Sequence, residues 1–498
     1  MRPSKMREFS SSPHLCVIDP SDDRKVHFDD RALPAARHLV GPDAIDVLRP
    51  PVEATGGAID SVRPVHVQYR PGSDVVVRYS ALVSWGGAEP RRETLAAAST
   101  VHGPMPGALT MTASTPAGPL DVSVWRWPFD PVLVGLARVV TPVEIAQVLR
   151  SSHGPLDPRE LRLDVVTYRP TERAVVRVDR RERGDRGDRG DRGDRNDRND
   201  RNDRNDRNDR NDRNDRNDRN DRNDRGDRTV AFVKAVPPSD VDGVVERHAS
   251  LLQAGVPVPR IEHADARSGL LVLEPVIGPT FRELVKSNTG SWPDAAEFDR
   301  IADAFAGAEL DAAPLASRLA DGVLHARMLA TVMPTAATQL TRLAERFERA
   351  DCADSTARHV TTIHGDLHDG QVIVRDGRIV GVLDIDDAGP GRPIDDRANL
   401  LARLLYRVHT SATPDARLVE HVDMMTVSSA GRFDAPDLAV RTAAALVGLA
   451  TGPFRLQSPD WTTTIRRLLD VAEELCTGGS MRGLSPQPHR DLTNTCAR

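Results

Sequence analysis

Three oxygen-bearing side chains, Asp366, Gln371 and Asp384, lie within one short stretch, HGDLHDGQVIVRDGRIVGVLDIDD, residues 364 to 387. A carboxylate can take a proton from a hydroxyl. An amide oxygen and a second carboxylate are hard donors suited to a divalent cation. Together they are the parts needed for magnesium-dependent phosphoryl transfer. The stretch also carries the element that would position them. Asp376-Gly377 reads as a tight type I′ turn, whose two central residues need positive φ. Val372, Ile373 and Val374 precede it, and Ile379, Val380, Val382 and Leu383 follow. Pairing about that turn sets Gln371 opposite Val382 and Asp384 two residues further along the returning strand. The amide and the carboxylate are then within reach of one ion. Asp366 enters from the loop ahead of the first strand. Asp376 and Asp387 read as turn or capping residues, Asp396 as a tie for the loop, and His364 and His368 as structural hydrogen bonders.

HGDLHxxQ, a hairpin, and then LDIDDAGPGRPxxD resemble the aminoglycoside phosphotransferase and choline kinase superfamily. The chain departs from that pattern at Gln371, where Asn is usual, at Arg392 before Pro393, and at Arg397. The resemblance spans residues 160 to 475. It implies an α+β, two-lobed protein-kinase-like fold, with an antiparallel-sheet small lobe, a helical large lobe and a nucleotide between them. Asp366 would be the catalytic base, Gln371 and Asp384 the magnesium ligands, and ATP the phosphoryl donor. The acceptor would be a small-molecule hydroxyl on a sugar, amino alcohol or aminoglycoside-like compound. No dense acidic cluster follows residue 400, which favours a neutral acceptor over a polycation. HGD stands where protein kinases have HRD, and DFG and APE are absent, which argues against protein substrates. The rival reading is a catalytically silent nucleotide-binding or regulatory module. Gln371 and the lack of a Gly-rich loop favour that rival, and Asp366 and Asp384 oppose it.

Lysine usage adds a further candidate. Lys occurs only at Lys5, Lys25, Lys234 and Lys286, in a chain otherwise using Arg. Lys234 sits in the apolar run VAFVKAV, where a compact ammonium suits a need the guanidinium fork does not meet. In a kinase small lobe a third-strand lysine grips the nucleotide's phosphates. The plainer alternative is an edge-strand lysine reaching to water. Glu246, on the helix predicted over SDVDGVVERHASLLQAG, is expected to steady Lys234. The strand GLLVLEP ends where kinase-like folds place the hinge, so backbone groups near Glu274 and Val276 are expected to bond adenine. The turn RPTER leaves any phosphate contact there to Thr171, Arg173 and backbone amides.

Length and composition bound the rest. The chain has 498 residues, a net charge of −6 and 39% hydrophobic residues, which fits two or three globular units and no nucleic-acid partner. Cys16, Cys352, Cys476 and Cys496 show no close spacing, which suits a reducing cytoplasm and argues against zinc. No apolar run approaches the roughly 20 residues of a membrane span, and the opening residues lack the apolar core of a signal peptide.

Residues 184 to 228 repeat Gly-Asp-Arg and then Asn-Asp-Arg without an apolar residue. A period of 3 builds neither a helix stripe nor a strand face, so this segment is expected to be a disordered insert between two strands. The runs on either side, 164 to 178 and 229 to 236, are rich in β-branched residues. VHVQYRPGSDVVVRY at 65 to 79 echoes VVTYRPTERAVVRV at 165 to 178. The expected organisation is a tail (1–25), an extra N-terminal α+β domain (26–150) copying the small lobe's opening strands, and the small lobe (151–277). A helical large lobe (278–478) and a disordered tail (479–498) follow. The first copy has no lysine strand and is expected not to bind nucleotide.

Overall fold

The computed structural model describes residues 30–115, 118–181, 227–354, 360–411, 413 and 415–478. The expected tails, and all but the last two residues of the repeat, lie outside the described residues. Two compact units form. Met1–Trp127, Asp294–Asp369 and Asp387–Arg498 make one, and Pro128–Pro293 with Gly370–Asp386 make the other.

In the first unit, α1 (Ala36–Val40) and α2 (Ala44–Glu53) precede β1 (Gly57–Arg70), β2 (Asp74–Trp85), β3 (Arg91–Thr100), β4 (Leu109–Thr115) and β5 (Gly118–Arg126). The second unit opens with α3 (Pro142–Val148) and α4 (Arg150–His153). Its strands are β6 (Leu161–Arg169), β7 (Arg173–Arg181), β8 (Asp227–Ala235), β9 (Ile261–Asp265) and β10 (Leu270–Leu273). Helix α5 (Val241–Gln253) lies between β8 and β9, and α6 (Phe281–Ser287) follows the sheet. The first unit resumes with α7 (Ala295–Ala306), α8 (Arg318–Val332), α9 (Ala337–Asp354) and β11 (Thr361–Ile363). The hairpin β12 (Val372–Arg375) and β13 (Arg378–Val382) belongs to the second unit. The chain closes in the first with β14 (Gly389–Gly391), α10 (Pro393–Thr410), α11 (Ala416–Ser429), α12 (Ala435–Arg455) and α13 (Trp461–Cys476).

The predicted helices of the large lobe appear as α7, α8, α9, α10, α12 and α13, and apolar periodicity is the reason. On α13 the buried residues include Trp461, Ile465, Leu468, Ala472 and Leu475, spaced by threes and fours, with Leu469, Val471 and Cys476 widening the stripe. Helix α12 packs on α8, α10 and α13, and β1 also contacts it. Its Arg441 is fully buried and is paired with Asp395 at 2.7 Å and with Asp437 at 2.8 Å. Among the described residues no helix is long and apolar enough to cross a membrane.

The two larger sheets have one design. Each has five antiparallel strands, in the order β1-β2-β3-β5-β4 in one and β6-β7-β8-β10-β9 in the other. The likeness reaches beyond the YRP echo. Asp30 Oδ2 accepts from the Tyr69 hydroxyl at 2.9 Å and from the Gly72 N–H at 2.8 Å. Asp130 Oδ2 accepts from the Tyr168 hydroxyl and from the Thr171 N–H, both at 2.9 Å. Gly72 and Thr171 share a left-handed backbone, with φ of 70° and 65°. The signal for the two aspartates, a D-x-x-L at 30–33 and again at 130–133, is in the sequence but lies far ahead of the strands it braces.

Residues 128–150 were expected in the N-terminal domain and fall instead in the second unit. Asp130 braces the β6–β7 turn, Arg138 pairs with Asp265 at 3.1 Å, and His153 bonds Glu262 at 2.7 Å.

The copies differ where chemistry is expected. Lys234 on β8 is paired in register with Val175. By the YRP alignment its counterpart on β3 is Ala98, which pairs with Val76. Val76, Ala96, Ala98 and Trp125 form an apolar cluster there, with Met105 and Ala108 packed against it. No helix stands between β3 and β4, where the second copy has α5 between β8 and β9.

Candidate active site

The loop carrying Asp366 is held in the first unit from two directions. Strand β11 ends at Ile363, and the backbone N–H groups of His364 and Gly365 donate to Asp396 at 2.8 and 2.9 Å. Arg318 on α8 donates to the Gly365 carbonyl at 2.5 Å. His364 is fully buried, and its Nδ1 accepts from the Asp366 N–H at 3.3 Å. Asp396 therefore ties the loop, and His364 is a structural hydrogen bonder.

Asn399 was not anticipated from the sequence. It lies three residues after Asp396, on the same face of α10. Its amide donates to Asp366 Oδ1 and to the Leu367 carbonyl, both at 3.0 Å. One Asp366 oxygen is thereby fixed. The other lies 4.0 Å from His368 Nε2, on a side chain that is 40% exposed. Burial pushes the Asp366 carboxyl up, but the charges around it, those of His368, Arg403 and Arg318 first, outweigh it and hold the group below its ordinary value. Asp366 is thus ionised at neutral pH and can accept a proton.

In the second unit the turn at Asp376-Gly377 has φ of 51° and 77°. Both are positive, as the sequence implied. The register differs by one residue. A bulge at Val380 interrupts the ladder between Ile373 and Val374, so Val372, not Gln371, pairs with Val382. Gln371 ends a 3-10 turn over Asp369–Gln371, and its carbonyl accepts from the Leu383 N–H at 2.8 Å. Gly370 leaves room for Arg282. A Cβ there would stand 2.5 Å from the Arg282 guanidinium. The hairpin is fastened within its unit by Val374 N–H to the Pro279 carbonyl at 2.9 Å and by Val382 N–H to the Pro257 carbonyl at 2.8 Å.

Lys234 is 6% exposed on an interior strand of the sheet, which excludes the edge-strand alternative. It pairs closely with Asp386 and lies 3.6 Å from Asp384 Oδ1. Arg173 on β7 reaches both carboxylates, Asp384 at 2.5 Å and Asp386 at 3.3 Å. Asp384 has a left-handed φ of 58°, and a 3-10 turn follows at Ile385–Asp387. That bend presents both acids to the same two cations.

The expected partnership of Glu246 with Lys234 is not present. The buried residues of α5 are Val241, Val244, His248 and Leu251. Glu246 lies two positions from both Val244 and His248, about 200° round the helix from each, and is exposed. His248 faces inward instead. It bonds the Pro259 carbonyl at 2.9 Å, and burial pushes its pKa down to about 4, so it is neutral.

At the end of β10 the Glu274 N–H donates to the Arg260 carbonyl at 2.9 Å. Among the described residues the Glu274 carbonyl and the Val276 N–H have no partner, so an acceptor and a donor stand two residues apart.

The residues expected to hold a divalent cation suit one. Gln371 is 5% exposed, and its buried Oε1 has no hydrogen-bond partner among the described residues. An orphaned amide oxygen is costly unless a ligand satisfies it, and amide and carboxylate oxygens are the donors magnesium takes. Among the described residues no group of three or more His, Cys, Asp or Glu could hold a metal, and the pair expected here, one amide with one carboxylate, would not form such a group.

Residues 214–425 match the profile of the phosphotransferase enzyme family, APH. No curated protein matches the chain. Among solved structures, a choline/ethanolamine kinase family protein from Mesorhizobium loti is 15% identical, with a TM-score of 0.38, over 51% of this chain and 86% of that one. A thermostable mutant of aminoglycoside phosphotransferase APH(4)-Ia, solved with ADP and hygromycin B, is 12% identical with a TM-score of 0.41, over 68% and 99%. Amicoumacin kinase hAmiN, solved with AMP-PNP and Ca2+, is 15% identical with a TM-score of 0.40, over 68% and 95%. The similarity to the phosphotransferase enzyme family is thus carried by residues 214–425, the stretch that holds Lys234, the Asp366 loop, the hairpin and Asn399.

Proposed function

We propose that the protein transfers the γ-phosphoryl group of ATP to a hydroxyl of a small molecule. The observation that carries this reading is the buried Lys234 facing two aspartates of the hairpin, in a unit whose Gln371 oxygen is unsatisfied. A buried ammonium beside acids and a spare oxygen is a site for polyphosphate and cation together. Asp366 orients the acceptor hydroxyl and takes its proton, and Asn399 holds the carboxylate in place for that task. Lys234 and Arg173 bind phosphate oxygens. Gln371 Oε1 and the Asp384 carboxylate would hold magnesium, whose charge offsets that of the phosphates. The Glu274 carbonyl and the Val276 N–H are the groups adenine would bond. The absence of a dense acidic cluster after residue 400 favours a sugar or amino alcohol over a polycationic aminoglycoside.

The test is ADP release with ATP and magnesium over a panel of sugars, amino alcohols and aminoglycosides. Acceptor-dependent release is expected, and Asp366→Asn is expected to abolish it while ATP still binds. ATP binding with no release for any acceptor, in wild type and mutant alike, would favour a silent binding module.

A further inference from the structure

We propose that Asp386, not Glu246, is the permanent counter-ion that positions Lys234 for the nucleotide, an inference that rests on the phosphotransferase reading above. In this chain the hairpin acid two residues beyond Asp384 takes the task that a helix glutamate performs in protein kinases.

Four observations carry it. Asp386 is the nearest acid to Lys234. Asp384 lies farther off, at 3.6 Å, and is the carboxylate assigned to the cation. Once Asp384 is committed to a divalent ion it cannot also neutralise the lysine, and a buried ammonium left without a carboxylate is strongly disfavoured. The helix opposite supplies no acid, because Glu246 points away and the inward residue, His248, is neutral. Finally, Asp386 Oδ2 is shared by Lys234 and Arg173, while its buried Oδ1 has no hydrogen-bond partner among the described residues. A carboxylate kept only for stability would be expected to have both oxygens satisfied.

The geometry therefore separates the two acids by role. Asp386 holds the ammonium, and Asp384 is left for the cation. Arg173 spans both, so the grip on the phosphates comes from a lysine and an arginine fixed to the one bend that follows the hairpin.

A double-mutant cycle on the full chain tests this, with magnesium-ATP affinity read by calorimetry and folding by thermal melting. Asp386→Asn is expected to weaken ATP about tenfold, a loss of about 1.4 kcal/mol. Lys234→Ala is expected to weaken it at least as much, and the double variant to lose clearly less than the two single losses combined, the remainder being the bond of Asp386 to Arg173. Asp386→Glu is expected to recover part of the loss, and Glu246→Gln to lose less than Asp386→Asn. A second readout needs no nucleotide. With so few lysines, acylation of Lys234 by an amine-reactive ester is resolved by peptide mass spectrometry. Lys234 released from Asp386 is expected to label several-fold faster relative to Lys286. Additive losses in the cycle, or unchanged ATP affinity and unchanged labelling in Asp386→Asn, would overturn the assignment of Asp386 alone. Wild-type protein that binds no ATP would overturn the phosphotransferase reading itself.

Discussion

The duplicated aspartate bracket permits a prediction with its own control. Asp130 accepts four hydrogen bonds, from the Tyr168 hydroxyl and Thr171 N–H at 2.9 Å and from the Val132 and Leu133 N–H groups at 2.9 and 3.0 Å. Asp130→Ala strips all four donors of their partner. Tyr168 and Leu133 are buried, so two of the donors have no water to turn to. At about 1–3 kcal/mol for each orphaned buried donor, the loss in stability is about 3–4 kcal/mol. Asp30→Ala strips the matching set in the first copy, at a more open position, and is expected to cost about 1–2 kcal/mol. Only the second bracket sets the turn that delivers Arg173 to Asp384 and Asp386. Asp130→Asn should therefore weaken ATP severalfold, and Asp30→Asn should leave ATP affinity at the wild-type value. Urea denaturation gives the stabilities and calorimetry the affinities. A change in stability under about 0.5 kcal/mol for Asp130→Ala, the size of an ordinary surface substitution, would refute the bracket argument. Equal effects of the two Asn variants on ATP would refute the functional half. Asp30 adds a pH arm. Burial pushes its carboxyl up, but bonds from Gly72, Tyr69, Ala32 and Leu33 outweigh that and hold it low. Its stabilisation is present above the unfolded carboxyl's pKa and is lost as pH falls through the lowered value.

Lys234→Arg is expected to weaken ATP at least tenfold in a folded protein, since the longer planar fork does not fit a position where Lys is 6% exposed; unchanged affinity in thermal-shift and calorimetric assays would return Lys234 to a structural role. Asp384→Ala should abolish the magnesium dependence of ATP binding while Gln371→Asn retains it, and calorimetry with and without magnesium decides. Burial pushes His248, His325 and His421 down to about 4 from 6.5. All three are neutral in the fold and protonate first in the unfolded chain, so stability should fall as pH drops from 6.5 toward 4; a flat urea midpoint across that window would contradict their burial. Arg181 already pairs with Asp227, so replacing residues 182–226 by Asn-Gly should close a hairpin and keep cooperative unfolding, as circular dichroism can show.

The HGDLH loop, the hairpin and Lys234 were legible because each joins a local pattern to a residue type that local structure alone does not demand. The turn at Asp376-Gly377 could be read from its two residues, since their φ values are a local property. The register could not. The Val380 bulge depends on how Val374 and Val382 are fastened to Pro279 and Pro257, which lie about a hundred residues upstream or more. The place of Glu246 is set by helix phase and not by its charge, and the stripe Val241, Val244, His248, Leu251 puts it on the far face. Asn399 and Asp386 were overlooked for a different reason. Each acts by holding another side chain, and a holding residue has no chemical signature of its own.

The doubled sheet also bears on how the chain is made. Strands alike enough to share a turn and a bracket could pair with the wrong copy, the route by which repeated modules exchange elements. Order of synthesis works against this. The first sheet is complete at Arg126, before any strand of the second has been translated. The hazard falls later, between β7 and β8. At roughly 5–20 residues per second, β7 waits about 2–9 seconds for its neighbour while the repeat is translated. By then β3 already lies between β2 and β5, so its ladder offers β7 no free side. A chain with the two copies transposed would place the open strand first, and its yield of correctly paired protein should be lower.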